Sequence, residues 1–140
     1  MSTVQQLQRG FANLLTPNEA DKKPVILVLG CTGRTGNLVA QELEKHGDVV
    51  VRRTARKPDQ LNAWKAEGTD AVFLNMDDPK TFAMAMHGVD RLYLMTEATV
   101  GMSTHGKTLI DAAVKAGVQH VVKLSCYYQW DCIVPQWAWL

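Results

Sequence analysis

The chain has 140 residues, 46% of them hydrophobic and 21% charged, with a net charge of +1. That suits one domain with a sizeable core and gives no global field to draw nucleic acid or an anionic membrane. No run reaches the roughly 18 apolar residues of a membrane span.

Residues 1–23 read as an N-terminal extension. Val4, Leu7, Phe11 and Leu14 recur at helical spacing, so the segment is expected to be partly helical or disordered. Its one base before Lys22, Arg9, is fewer than a mitochondrial transit peptide normally carries. Pro24 ends the extension. Val25–Leu29, an unbroken apolar run, reads as a strand buried on both faces. A glycine-rich turn follows, then a helix from Asn37 to His46 that carries Leu38, Val39 and Leu43 and stops at Gly47. Asp48–Arg52 reads as the second strand. Pro58 and Asp59 open a short helix through Leu61 and Trp64 that Gly68 stops.

Ala71–Leu74 reads as the third strand. Asp77 or Asp78 is placed to cap the next helix, with Pro79 at its first position and Gly88 at its end. Arg91–Met95 is the fourth strand, and a loop around Thr96–Gly101 leads to a helix with Leu109, Ile110, Ala113 and Val114. Val121–Ser125 is the fifth strand. Strands that alternate with helices over short connections imply right-handed crossovers and one parallel sheet. The expected architecture is a Rossmann-type, doubly wound α/β sheet in the order 3-2-1-4-5, helices on both faces, with a binding crevice between strands 1 and 4.

The turn after strand 1 reads Gly30-Cys31-Thr32-Gly33-Arg34-Thr35-Gly36. Glycines at this spacing, between a strand and a helix, have separate tasks against a dinucleotide pyrophosphate. Gly30 permits the tight turn, Gly33 lets backbone approach the phosphates, and Gly36 lets the helix pack closely on the strand. The free N–H groups and the dipole of the helix start then hold the anion. Gly30, Thr32, Gly33, Arg34, Thr35 and Gly36 are therefore candidate cofactor-binding residues.

A binder of NAD usually offers an acid at the end of strand 2 for the ribose 2′-hydroxyl. Here that stretch reads Arg52-Arg53-Thr54-Ala55-Arg56-Lys57, four bases in six residues and no carboxylate. A guanidinium there suits the 2′-phosphate of NADP through charge-assisted bonds. The expected cofactor is NADP, with NAD second. A solvated basic turn is the alternative reading.

The glycine segment resembles the GATGxxG signature of the NmrA-like family, atypical members of the short-chain dehydrogenase/reductases. The resemblance continues through Arg56-Lys57-Pro58, Met76-Asp77-Asp78-Pro79, Gly88-Val89-Asp90, Leu109–Ala113 and Ala116-Gly117-Val118, and covers residues 24–125. It implies that Arg56 is the first candidate for the 2′-phosphate and Arg34 the second. It places Asn75, with Met76 beside it, where the family has an Asp on the adenine side. Thr96 falls where the family's backbone meets the nicotinamide end. Lys107 matches a lysine that approaches the cofactor in some members; an exposed helix lysine is the equal alternative.

Classical members of the superfamily pair a Tyr with a Lys four residues on, which lowers the phenol's pKa for proton exchange with a carbonyl. Tyr127 and Tyr128 meet Asp131 and Cys132 instead. No catalytic residue is assigned. Ser125 reads as local hydrogen bonding or as a substrate contact. Cys31, at a helix start, reads as a small residue in a small slot, with a redox-active thiol as the alternative. The three cysteines and four histidines show no metal-ligand spacing, and the cysteines form no disulfide framework, which points to a reducing, cytoplasmic setting.

Residues 126–140 hold Trp130, Trp137 and Trp139 and match nothing expected of the family, whose members continue past strand 5. The tail reads as a replaced or prematurely ended frame, or as a short cap on the sheet edge. Three functions stand open: a cofactor-sensing regulatory module, an NADPH-dependent reductase of a quinone, aldehyde or related carbonyl, and an inactive truncated product. The expected partner is the dinucleotide; a protein partner or a second copy of the chain is left open, and nothing points to nucleic acid or membrane.

Overall fold

The computed structural model describes residues 22–125. The expectations for most of the extension, for Tyr127 and Tyr128, and for the tail lie outside them. Five strands form one parallel sheet: β1 Val25–Val28, β2 Val50–Ala55, β3 Asp70–Phe73, β4 Arg91–Leu94 and β5 His120–Lys123. Their order is β3-β2-β1-β4-β5, as expected. The chain winds outward from β1 to β3, then crosses back to lay β4 on the other side of β1, and that reversal opens a crevice at the C-terminal ends of the strands.

Four helices connect the strands: α1 Arg34–His46, α2 Pro58–Ala66, α3 Phe82–Met86 and α4 Met102–Lys115. The period-2 alternation of β1 splits its apolar run between two cores. Leu27 and Leu29 face α3 and α4, where they meet Phe82, Met86, Leu92, Leu94 and Leu109. Ile26 and Val28 face α1 with Ala40, Val51 and Cys31, and Trp64 of α2 packs beside them. Helices thus cover both faces. Leu27, Leu29, Leu94 and Leu109 are fully buried, and burying each contributes roughly 1.5–3 kcal/mol. Among the described residues no helix is long and apolar enough to cross a membrane.

Three elements differ most from expectation, while β1, β3, β4 and β5 shift by one or two residues at their ends. β2 spans Val50–Ala55 instead of Asp48–Arg52, because its pairing with β3 runs from Arg52 opposite Asp70 to Ala55 opposite Phe73. The charged residues in its middle are neutralised by partners from other elements, so they do not end the strand. α1 begins at Arg34, three residues before the expected start, with Gly33 as its N-cap. The helix expected from Pro79 to Gly88 is a 3-10 turn, Pro79–Thr81, running into the five-residue α3. Asp78 is its cap, accepting from the Lys80 N–H. β5 is an edge strand, with Val121 and Val122 exposed and Leu124 exposed just beyond it.

Candidate functional site

The site is built where β1 ends. Leu29 N–H still donates to Tyr93 O, at 3.1 Å, and the chain then turns at Gly30, whose φ is +73°. Gly33 N–H closes the turn on Gly30 O at 2.9 Å, and Asn37 N–H donates to Gly33 O at 3.1 Å as α1 begins. A side chain at Gly36 would overlap the Gly30 carbonyl, and one at Gly30 would collide with Met95. A Cβ at Gly33 would meet only Gly30 O, at 3.4 Å, an ordinary contact. α1 has no side-chain cap and no acid in its first turn. Its first N–H groups lack intrahelical acceptors, and the positive end of its dipole points out of the turn.

Those features open on a cleft of about 220 Å³. Leu29, Gly30, Thr32 and Gly33 form its floor, and Thr54, Ala55 and Arg56 enter from the end of β2. Leu74, Met76 and Asp77 come from the end of β3, Met95 and Glu97 from the end of β4, and His105 from the first turns of α4. Of the residues singled out in the sequence, Gly30, Thr32, Gly33, Arg56 and Met76 line this cleft. Gly36 is buried behind the floor, and Arg34 and Thr35 are exposed in the first turn of α1. Asn75 spends its side-chain oxygen on the Asp77 N–H, at 3.2 Å, so it shapes the loop after β3. Thr96 sits between two lining residues without lining the cleft, and Lys107 is exposed on α4 outside the lining. Asp77, Met95, Glu97 and His105 were not anticipated as site residues. The crevice rule for doubly wound sheets was the available signal, since it puts the polar residues after β4 at the opening.

The four bases after strand 2 divide. Arg52 Nε donates to Asp70 Oδ2 at 2.9 Å, and its Nη1 donates to the Ala85 and His87 carbonyls. Arg53 is buried and forks onto Glu44, Nε to Oε1 and Nη2 to Oε2, both at 2.8 Å. Its Nη1 donates to Asn37 Oδ1 at 2.9 Å, and the guanidinium lies 5.4 Å from the centre of the Trp64 ring. The bond from Glu44 holds the Arg53 pKa above the ordinary arginine value. Both arginines therefore join elements of the fold. Arg56, the first candidate of the stretch, is its arginine in the cleft. Its Nη2 donates to Glu97 Oε1 at 2.8 Å, with both side chains more than half exposed. His105 Nε2 stands 3.1 Å from Asp77 Oδ1, both lining the same cleft.

Cys31 is buried in the turn and its Sγ–H donates to the Val28 carbonyl at 3.0 Å. Burial pushes its thiol pKa up, against smaller lowering effects from Thr54 and Arg53. The structure thus favours the small residue in a small slot over an activated thiol. Among the described residues no group of three or more His, Cys, Asp or Glu could hold a metal ion.

A family model described as NAD(P)H-binding matches residues 30–129. The chain is 36% identical over 101 residues to the (4-alkanoyl-5-oxo-2,5-dihydrofuran-3-yl)methyl phosphate reductase of Streptomyces griseus, covering 72% of this chain and 34% of that one. It superposes on the Citrobacter sp. triphenylmethane reductase complexed with NADP(H), with a TM-score of 0.66 at 21% identity over 79% of this chain and 40% of that one. The NADPH-dependent quinone oxidoreductase of Escherichia coli, complexed with NADPH, gives a TM-score of 0.59 at 26% identity, covering 71% of this chain and 35% of that one. The chain therefore spans about a third of the length of the curated relative, and only slightly more of the solved structures.

Proposed function

Because the chain belongs to the NAD(P)H-binding family, we propose that it is the cofactor-holding part of an NADP(H)-dependent reductase of NmrA-like type, working in the cytoplasm. The observation that carries this is the uncapped glycine start of α1 opening on the same cleft as Arg56. One provides unpartnered N–H groups for a pyrophosphate, the other a guanidinium for a 2′-phosphate. The fit is also steric: Gly36 lets α1 pack on the turn, Gly30 leaves room for Met95, and Gly33 presents bare backbone to the cleft.

In this reading the backbone from Gly30 to Gly36, with the Thr32 and Thr35 hydroxyls, takes the pyrophosphate. Arg56 takes the 2′-phosphate, with Arg34 near the phosphates. Asn75 and Met76 border the adenine, while Thr96 and Lys107 lie toward the nicotinamide end. The nicotinamide, when bound, supplies a hydride to a quinone, aldehyde or related carbonyl. The chain's own residues bind and orient the cofactor, and Met95 and Leu74 give the cleft an apolar lining. Support for reduction as the activity comes from the reductase relative and from the NADPH bound by the quinone oxidoreductase. A second reading, a cofactor-sensing regulatory module, has one observation in its favour: the sequence holds no Tyr-x-x-x-Lys pair.

Thermal melts with NADP+, NADPH, NAD+ and no ligand test the binding. A ligand of the native state raises Tm through a stabilisation of RT ln(1 + [L]/Kd), and the NADP forms are expected to raise it more than NAD+. Arg56→Ala is expected to weaken NADP+ binding about tenfold or more, from the charge-assisted bonds it loses, and to leave NAD+ nearly unchanged. Equal losses for both cofactors would remove Arg56 from the 2′-phosphate. NADPH oxidation against quinones and aldehydes separates the two readings: turnover supports the reductase, and stabilisation without turnover supports the sensor.

A further inference from the structure

Arg56 follows β2 and Glu97 lies in the loop after β4, and those two strands are not neighbours. β1 lies between β2 and β4, and adjacent strands are about 4.8 Å apart, so the pair reaches across roughly 10 Å of sheet. It therefore crosses the line of β1, and both residues line the cleft with Gly30 and Gly33. That cleft, about 220 Å³, is smaller than the roughly 300–1,000 Å³ of small-molecule sites.

We infer that Glu97 is a specificity-determining residue: its carboxylate occupies Arg56 in place of the 2′-phosphate and so narrows the preference for NADP over NAD. The inference rests on the proposed role of Arg56. A 2′-phosphate brings a charge of about −1.5 to −2 and three acceptor oxygens. It displaces a single carboxylate from the guanidinium, an exchange of one anion for another, and the freed Glu97 is left beside a phosphate that repels it. The 2′-hydroxyl of NAD carries no charge and has nothing to exchange. Glu97 therefore opposes NADP binding and leaves NAD binding largely untouched. The sequence showed no acid after strand 2; the structure brings one to the same arginine from the loop after β4.

The test titrates wild type, Glu97→Gln, Arg56→Ala and the double variant with NADP+, NAD+ and adenosine 2′,5′-bisphosphate by calorimetry. Exposed ion pairs are worth about 0.2–1 kcal/mol, so Glu97→Gln is expected to tighten NADP+ and the bisphosphate about 1.4- to fivefold. NAD+ affinity stays within the error of the titration, and in the Arg56→Ala background Glu97→Gln has no effect. Glu97→Ala is expected to reproduce the gain without a side-chain amide to bond Arg56. An unchanged NADP+ affinity in both Glu97 variants overturns the inference. So does an equal gain for NAD+, or a gain that persists without Arg56. A wild type that binds no NADP+, or an Arg56→Ala variant that loses none of it, overturns the underlying cofactor reading and this inference with it.

Discussion

The two ends of the sheet are built on different terms. At the N-terminal ends of the strands, side chains tie the elements together. Asp90 Oδ2 accepts from Val25 N–H at 2.8 Å, Asp90 N–H donates to Val25 O and its carbonyl accepts from Gln119 N–H, so one residue joins the starts of β1, β4 and β5. Arg52 bonds Asp70 and the last carbonyls of α3. Gly88 there has φ +70° with nothing near its missing side chain. At the C-terminal ends, α1 starts uncapped, Gly30 and Gly36 are crowded by Met95 and by backbone, and the Arg56–Glu97 ion pair and the His105–Asp77 contact border the cleft. One end uses polar groups to hold the fold; the other keeps donors free. That is the distribution expected of a binding edge on a rigid scaffold.

The largest effect that tests this contrast belongs to Gly36. Gly36→Val drives a side chain into the Gly30 carbonyl, with Leu29 O only 2.8 Å from the first added carbon. Neither atom yields without moving the end of β1, so the expected cost is about 3 kcal/mol in urea unfolding, together with loss of dinucleotide binding. Gly88→Ala meets only the left-handed backbone penalty, about 1–2 kcal/mol, and is expected to leave binding intact. Equal costs for the two would dissolve the contrast between the ends.

The arginines of β2 give the next effect. Arg53→Met removes a forked ion pair, an Asn37 bond and a ring contact. Glu44 is 39% exposed and regains water, so the cost is expected near 2 kcal/mol, short of the roughly 3–5 kcal/mol for stranding a buried charge. Arg56→Met, exposed and singly paired, is expected to change stability by less than about 0.5 kcal/mol while weakening NADP+ binding. A destabilised Arg56→Met with normal binding would move Arg56 into the scaffold class.

What was legible in the sequence follows the same division. The strand order and the glycine turn were readable because their signals are local: apolar runs between glycines, and three glycines between a strand and a helix. The extent of β2 was not, because the partners that let arginines stand inside it, Glu44 and Asp70, come from α1 and β3. Glu97 and His105 were not read as site residues for a related reason. The strand order puts the segment after β4 at the crevice, but which of its side chains turn into the cleft depends on the path of the loop and the first turns of α4, which no local pattern encodes. That Arg52 and Arg53 are spent on Asp70 and Glu44 was not legible either, since charge is visible in sequence and pairing is not.

Cys31 carries the smallest effect and joins the two regions. It sits in the turn at the binding edge, one step from the helix dipole that lowers thiol pKa values. Its side chain, however, points into the core under α1, where it is 2% exposed and donates to Val28 O. Desolvation disfavours the thiolate, and here it outweighs the lowering contributions from Thr54 and Arg53, so the folded pKa lies above the ordinary value. A raised folded pKa stabilises the native state below the unfolded thiol's pKa, about 8.5, and that contribution is lost as pH rises through the folded pKa. Stability is therefore expected to decline above about pH 8.5, and Cys31→Ala to flatten that part of the profile. In a Cys126→Ser, Cys132→Ser background, Cys31 should react with a disulfide reagent at pH 8 at least about tenfold more slowly in the folded chain than in urea. Fast labelling of the native protein would show that the helix start, not the core, governs this thiol.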